Sequence, residues 1–273
     1  KDKIVAVAGA RYDWAENDSI NRVTNAAFLG QNFSQWVFKY GLVGRVTEGL
    51  SIYLNHSENF NPVVGGFDDL GNRLKNEEGK NDEGGLKFDL MDHRLTATVS
   101  VFDSKTTNKL VSIGLINPST GNLEVYRIQT GHTTTKGWEA DVAWQPIDSL
   151  SLIGGLGNVQ IRNERGIRLA NGSYGMNYRG FAKYTFREGP VRGLGIGAGY
   201  SFTNDRAGDG GDTFTLPAYG SMDGLIQYGR KKWSIQVNIL NATDKIAVVS
   251  SVVRANVQPL APRQYRVTFR YTF

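Results

Sequence analysis

Apolar and polar residues alternate along most of this chain with the period of two that marks β-strands. In RQYRVTFRYTF, residues 263–273, Tyr265, Val267, Phe269, Tyr271 and Phe273 fall on one face and Arg266, Thr268, Arg270 and Thr272 on the other. Leu95, Ala97, Val99 and Val101 alternate with Thr96, Thr98 and Ser100, and Trp233, Ile235, Val237 and Ile239 with Ser234, Gln236 and Asn238. Read this way, the chain contains about twelve strands. The first is expected at 3–14, followed by 34–46, a strand from Leu50, 81–90, 94–107 and one long strand over 123–145. Further strands are expected at 149–161, 175–187, 192–204, 213–228, 232–241 and 263–273. Strand 192–204 carries Gly193, Gly195, Gly197 and Gly199 on one face, leaving room on that side.

The connections alternate in length. Short ones lie at 47–49, 91–93, 146–148, 188–191 and 229–231, and long ones at 15–33, 61–80, 108–122, 162–174, 205–212 and 242–262. A sheet sandwich has no reason for that rule, whereas a membrane barrel with short periplasmic turns and long extracellular loops does. Trp144, Tyr184, Phe186, Tyr228 and Trp233 gather beside the short turns, as an interfacial girdle would. The expectation is an all-β, antiparallel transmembrane barrel with apolar faces toward lipid and polar faces toward a lumen.

Composition narrows the choices. With 40% hydrophobic and 11% aromatic residues the chain is not disordered, and no apolar run approaches the roughly 20 residues of a membrane helix. There is no cysteine, which rules out disulfides and thiolate metal sites. The net charge of +5 is scattered rather than clustered, so nucleic acid is not an expected partner. No signal-peptide pattern precedes the first strand, as in a mature protein or a fragment.

Candidate chemistry is sparse. His56 and Ser57 are neighbours on a strand and leave it on opposite faces, which defeats a nucleophile–base pair. His93 lies in a tight turn and His132 in a Thr-rich strand, so no catalytic residue is expected. Asp205, Asp209 and Asp212 in NDRAGDGGD suit a hard cation, but the spacing lacks a terminal Glu ligand, and an acidic turn is the simpler reading. The basic loop 162–174 brings Arg162, Arg165 and Arg168 together as candidate contacts for an anionic ligand or for lipopolysaccharide phosphate.

Six segments in order resemble TonB-dependent outer-membrane receptors, particularly their ferric-siderophore branch. SENFNP (57–62) is similar to a Ser-x-x-Phe-x-Pro segment, and NEEGKNDEGGLK (76–87) to Pro-Glu-x-x-x-x-Glu-x-Gly-x-Lys. In the latter Glu77, Glu83, Gly85 and Lys87 match, while Asn76 replaces the usual Pro. QTGHTTTKGWEAD (129–141) resembles the long-strand Gln-Thr-Gly…Gly-x-Glu motif, and NDRAGDGGDTFTLPAYGSMD (204–223) the Asp-Arg-x-Gly-Asp…Leu-Pro-x-Tyr-x-x-x-Asp segment. LNATDK (240–245) resembles Asn-Leu-x-Asp-Lys, with Ala242 and Ala247 departing from the usual Leu and Tyr, and Ala261-Pro262-Arg263 leads into the last strand.

The resemblance implies that residues 1–273 are the C-terminal half of a barrel of about 22 strands. The plug, the energy-coupling box and the first strands are then absent from this chain. It implies a receptor of the bacterial outer membrane that imports a scarce ligand, a ferric siderophore or similar chelate, by gating coupled to the TonB complex. No cofactor and no catalysis are implied. Phe269, Tyr271 and Phe273 would carry the signal read by the barrel-assembly machinery, and lipid and lipopolysaccharide would surround the wall. A twelve-stranded autotransporter translocator, which needs a helix through its lumen, is the alternative, and an outer-membrane barrel enzyme is a third reading.

Overall fold

The computed structural model describes residues 3–20, 27–63, 74–116, 123–129 and 131–273. In chain order the strands are β1 (Ile4–Ile20), β2 (Ala27–Arg45), β3 (Leu50–Asn61), β4 (Glu77–Leu90), β5 (Leu95–Thr107) and β6 (Leu110–Ile116). There follow β7 (Leu123–Gln129), β8 (His132–Ile147), β9 (Leu150–Asn163), β10 (Asn177–Thr185), β11 (Leu194–Thr203) and β12 (Arg206–Ala207). The last six are β13 (Thr215–Leu216), β14 (Tyr219–Arg230), β15 (Trp233–Leu240), β16 (Val248–Val253), β17 (Asn256–Pro259) and β18 (Gln264–Tyr271).

Twelve of them form one sheet in the order β1-β2-β3-β4-β5-β8-β9-β10-β11-β14-β15-β18, with antiparallel neighbours throughout. The other six pair two by two as hairpins within the long connections. Among the described residues β1 and β18 each pair on one side only, so the sheet is an open, partial barrel wall.

Register places the alternating residues where their pattern predicts. Ile52, Leu86, Val99, Ala140, Leu156, Tyr178 and Phe202 face one another in turn across seven strands. On the opposite face Lys87, Thr98, Asp141, Gly155, Arg179, Ser201 and Ser221 make the corresponding polar row. The polar face is concave: Lys87, Thr96, Thr98, Asp141, Arg179 and Asp223, from five strands, line one hollow of about 790 Å3. Leu54, Val99, Val101, Val267 and Phe269 stay exposed on the other face, and among the described residues no large side chain is fully buried. A sandwich core is therefore absent from the described residues, and the apolar surface is what a barrel offers to lipid.

Two aromatic belts bound that surface. Near the short turns lie Tyr184–Phe186 (5.0 Å), Tyr228–Trp233 (5.7 Å) and Tyr271–Phe273 (5.2 Å). Toward the long loops lie Tyr12–Trp36 (5.1 Å), Trp36–Phe38 (6.3 Å) and Tyr178–Phe202 (5.0 Å). On β10 the step from Tyr184 to Tyr178 spans roughly 20 Å, which suits an apolar band of roughly 25 Å. β1, β2 and β8 have 17, 19 and 16 residues and so project well beyond it.

Several expected boundaries change. The loop expected at 15–33 is largely strand, because β1 and β2 stay paired out to Ile20 and Ala27. The single strand expected over 123–145 is two. β7 pairs with β6 as a projecting hairpin, and the sheet strand β8 starts only at His132. The strand expected from 213 begins at Tyr219, since Thr215 and Leu216 pair back on Arg206 and Ala207. Loop 242–262 contains the hairpin β16–β17. Parts of loops 15–33, 61–80 and 108–122 lie outside the described residues.

The short turns are tight and tied to one another. Met91, Asp92 and His93 all have positive φ (56, 54 and 66°), and Asp89 caps the turn through His93 Nδ1 at 2.7 Å. Arg94 bridges to Asp148 in the next turn at 2.8 Å. At Gly193, φ is +92° and a Cβ would meet the Gly229 carbonyl at 2.4 Å, so glycine is required there.

Candidate functional site: the concave wall and the loops above it

The concave wall is built by packing large side chains over glycines on neighbouring strands. Tyr53 on β3 stands directly opposite Gly85 on β4, whose missing Cβ lets the ring lie flat across the strand. The ring is held at both ends by the residues two positions away on the same face: its hydroxyl donates to the Glu83 carboxylate, and Lys87 Nζ sits 4.6 Å from its centroid. Glu83, Gly85 and Lys87 are thus one cradle, spaced two apart because strand neighbours on one face are two apart. Phe102 lies over Gly137 in the same way, and Phe181 over Gly197 and Gly199. The room left by the glycine face of β11 is therefore partly filled by its own neighbour.

Above the wall, three long connections are tied into one assembly. Arg206 is buried, and its guanidinium donates to the carbonyls of Val248 and Val249 on β16 (2.8 Å for Val248) while lying 5.2 Å over the Tyr219 ring. Its Nε is buried with no partner, and burial pushes the guanidinium pKa down. The backbone at Arg206 and Ala207 also pairs with the 171–174 segment, through Ala207 N to Gly172 O at 3.0 Å and Asn171 N to Ala207 O at 2.7 Å. Asn171 closes the third side: its amide donates to Ser251 O at 3.3 Å and accepts from Ser251 N at 3.1 Å.

The acidic residues of NDRAGDGGD serve this scaffold. Asp205 accepts from Ala218 N at 2.6 Å, Asp209 from Thr213 N at 2.8 Å and from the Thr213 hydroxyl, and Asp212 from the Tyr174 hydroxyl. Those contacts hold Asp209 below the ordinary carboxylate range, chiefly through the Thr213 hydroxyl, and push the Tyr174 phenol up through Asp212. Farther along, Asn241 spans the neck of the last loop, accepting from Lys245 N at 2.8 Å and donating to Ala261 O at 2.9 Å, and Asp244 accepts from Arg263 N at 2.8 Å. Both have positive φ (48 and 53°), a conformation that Asn and Asp tolerate better than most residues.

Of the arginines singled out from sequence, Arg162 and Arg168 stand opposite each other in an isolated antiparallel bridge. Arg162 ends β9 and donates to Gly166 O at 2.8 Å and to Gln160 at 3.2 Å, bracing its own hairpin. Arg168 stacks on Tyr174 at 3.7 Å and has a buried Nη1 without a partner. Arg165 is exposed at the tip. Tyr53, Asn171 and Arg206 carry more of the architecture, and sequence reading passed over them.

The family description "TonB dependent receptor-like, beta-barrel" matches residues 1–242. The chain belongs to that family. It is 28% identical over its whole length to the metal-pseudopaline receptor CntO of Pseudomonas aeruginosa, of which it spans 39%. It is 25% identical, over 91% of its length, to the ferrichrome outer membrane transporter/phage receptor of Escherichia coli, spanning 33% of that protein. Among solved structures, the Acinetobacter baumannii siderophore receptor PiuA covers 98% of the chain at TM-score 0.76 and 20% identity, with 41% of that receptor matched. The ferric preacinetobactin receptor BauA of the same species covers 98% at TM-score 0.78 and 19% identity, with 40% matched. At that identity the structural likeness speaks for fold alone. This TonB-dependent-receptor barrel is thus an outer-membrane protein.

Proposed function

We propose that this chain is the C-terminal part of the barrel of a receptor that imports a scarce ligand, a ferric siderophore or similar metal chelate, by energy-coupled gating. Family membership carries the reading, and the polar concave wall beneath a braced extracellular loop assembly supports it. The remaining strands of a barrel of about 22 and a plug lie in the rest of the protein, where the TonB complex engages it. Strands β1 and β18 then find their second partners in that remainder, since unpaired backbone groups in hydrocarbon cost several kcal/mol each. Phe269, Tyr271 and Phe273 carry the assembly signal on the last strand. The protein binds its chelate without making or breaking a bond and needs no resident cofactor. His56 paired with Asp82 at 2.6 Å on the outward face, away from Ser57, supports a non-enzymatic reading. Arg165, exposed on its braced hairpin, is the member of the arginine trio best placed to meet an anionic chelate.

The test is uptake by iron-starved cells that lack the intact gene, complemented by it, and offered ⁵⁵Fe-loaded hydroxamate, catecholate and carboxylate chelates in turn. Uptake of one chelate class that needs both this gene and the TonB complex is expected. Growth and uptake unchanged on every chelate would refute the siderophore reading. Passenger secretion dependent on the gene would favour the translocator instead.

A further inference from the structure

The short turns differ in charge along their rim. Those at 47–49, 91–93 and 146–148 carry Glu48, Asp92 and Asp148, one acid each. The next two, FREGPVRG at 186–193 and YGRKKW at 228–233, carry Arg187, Arg192, Arg230, Lys231 and Lys232 against the single acid Glu188. β11 and β14 are neighbours in the sheet, so these two turns adjoin. Their backbones touch: Gly229 N donates to Gly193 O at 3.1 Å, and a Cβ on Gly193 would lie 2.4 Å from the Gly229 carbonyl oxygen. That close approach brings Arg192, just before Gly193, and Arg230, just after Gly229, to adjoining positions.

All five cations are exposed, and the nearby carboxylates do not neutralise them. Asp148 is bridged by Arg94 at 2.8 Å and gives Arg187 only its backbone carbonyl, at 2.9 Å. Among the described residues Glu188 makes no ion pair, and the side chains of Arg192, Lys231 and Lys232 have no partner. Like charges gathered in this way repel one another and create a positive field that draws an anion. Arg230 shows where that anion would sit. It stands opposite Trp233 on the outward face, donates from Nε to the Tyr228 hydroxyl at 2.8 Å, and lies 5.4 Å over that ring. Its terminal nitrogens have no acceptor among the described residues. Tyr228 packs edge-on against Trp233 and faces Ile235, and Ile226 follows on the same face, both isoleucines exposed. Cation, aromatic ring and aliphatic side chain thus succeed one another as headgroup, interface and acyl chain do in a leaflet.

We infer that this double turn is a docking site for the headgroup of an anionic phospholipid. Arg192 and Arg230 would hold the phosphate, Lys231 and Lys232 would add charge beside it, and the acyl chains would lie along Ile226 and Ile235. Arginine meets phosphate through a planar fork and lysine as a point charge, so the two kinds divide the task. Outer-membrane barrels keep their short turns on the periplasmic side, where the leaflet is phospholipid. The inference rests on the barrel's place in the outer membrane and is independent of which ligand the receptor takes.

The test uses the intact receptor in mild detergent, delipidated and then titrated with lipid, with lipid counted per protein by native mass spectrometry. Wild type should bind phosphatidylglycerol about tenfold or more tighter than zwitterionic phosphatidylethanolamine. Arg192→Gln/Lys231→Gln/Lys232→Gln, which breaks no side-chain contact, should lose that preference. The charge-matched Lys80→Gln/Lys105→Gln/Lys136→Gln, near the long-loop ends of β4, β5 and β8, should keep it. Glu188→Gln should strengthen it, and Arg230→Lys should weaken it less than Arg230→Gln does. Heat-shifted gel mobility verifies that each variant is folded. Equal binding of the two lipids, an unchanged preference in the first triple, or a tighter hold on inorganic phosphate, phosphorylated lipid A or peptidoglycan fragments than on phosphatidylglycerol would overturn the site.

Discussion

Replacing Gly85 by Ala should disrupt the concave wall out of proportion to the one methyl group added. The new Cβ would lie 2.4 Å from the Val99 carbonyl and 2.7 and 2.9 Å from two atoms of the Tyr53 ring. The carbonyl belongs to the β4–β5 ladder and cannot withdraw without breaking it. Tyr53 can move, but only by leaving the cradle. It then gives up a hydrogen bond to a carboxylate, worth about 1.5–3 kcal/mol, and the contact with Lys87, worth about 0.5–1 kcal/mol. Ala regains about 0.5–1 kcal/mol over Gly through chain entropy. A net loss of about 1–3.5 kcal/mol is expected. Tyr53→Phe, which removes only the hydroxyl, should cost less. In Tyr53→Ala/Gly85→Ala the two losses should fall short of additivity, because both remove the same stacked ring. Urea unfolding of the intact barrel in detergent, followed by heat-modifiable gel mobility, measures wild type, Tyr53→Phe, the two Ala singles and their double. A Gly85→Ala barrel within about 0.5 kcal/mol of wild type, or strictly additive losses, would refute the cradle.

Val237, in mid-strand on the outward face of β15, should cost about 2–4 kcal/mol when changed to Arg, whereas Gln236→Arg on the lumen side should cost far less; the same unfolding assay compares them. Arg206→Ala should free the β16–β17 hairpin, raising amide exchange over residues 248–259 by tenfold or more with little change in the membrane strands. Asp209 has a depressed pKa in the folded loop, so its contribution is complete above the ordinary carboxylate value of about 3.9 and is lost as pH falls through the lower folded value. A nitroxide at Gly210, where a side chain meets open space, should therefore stay immobile from pH 7 down to about pH 4 and loosen only below it. In Thr213→Val the loosening should begin at higher pH.

The sheet strands were legible wherever one face is apolar, because lipid on one side and polar lumen on the other force strict alternation, as in β5, β15 and β18. Legibility failed beyond the membrane. There Asp82, Asp103 and Lys136 occupy outward positions in water, alternation lapses, and paired strands such as the outer halves of β1 and β2 resemble loops. β7 and β8 read as one strand because both are strand-like and the sequence between Gln129 and His132 offers only a single Gly as punctuation. The motif at 76–87 was visible as a string of residues, but its reason was not. That reason lies in Tyr53, more than 20 residues upstream, brought opposite Gly85 by register alone. Arg206 was likewise hidden, since nothing local shows that its partners sit on β16. For Arg162, Arg165 and Arg168 the converse holds: proximity in sequence says nothing of which side chains the hairpin itself consumes.

One face of the sheet meets lipid and the other a polar lumen, and this chain's lack of cysteine makes that directly measurable. Single cysteines placed in the intact receptor at Ser234, Ile235, Gln236, Val237, Asn238 and Ile239 can each carry a nitroxide in reconstituted bilayers. Collision with oxygen, which concentrates in hydrocarbon, and with a water-soluble nickel chelate then reports the surroundings of each position. Oxygen should dominate at 235, 237 and 239 and fall at 234, 236 and 238, with a period of two. An inverted pattern, or uniform access along β15, would contradict a wall with lipid outside and a polar lumen within.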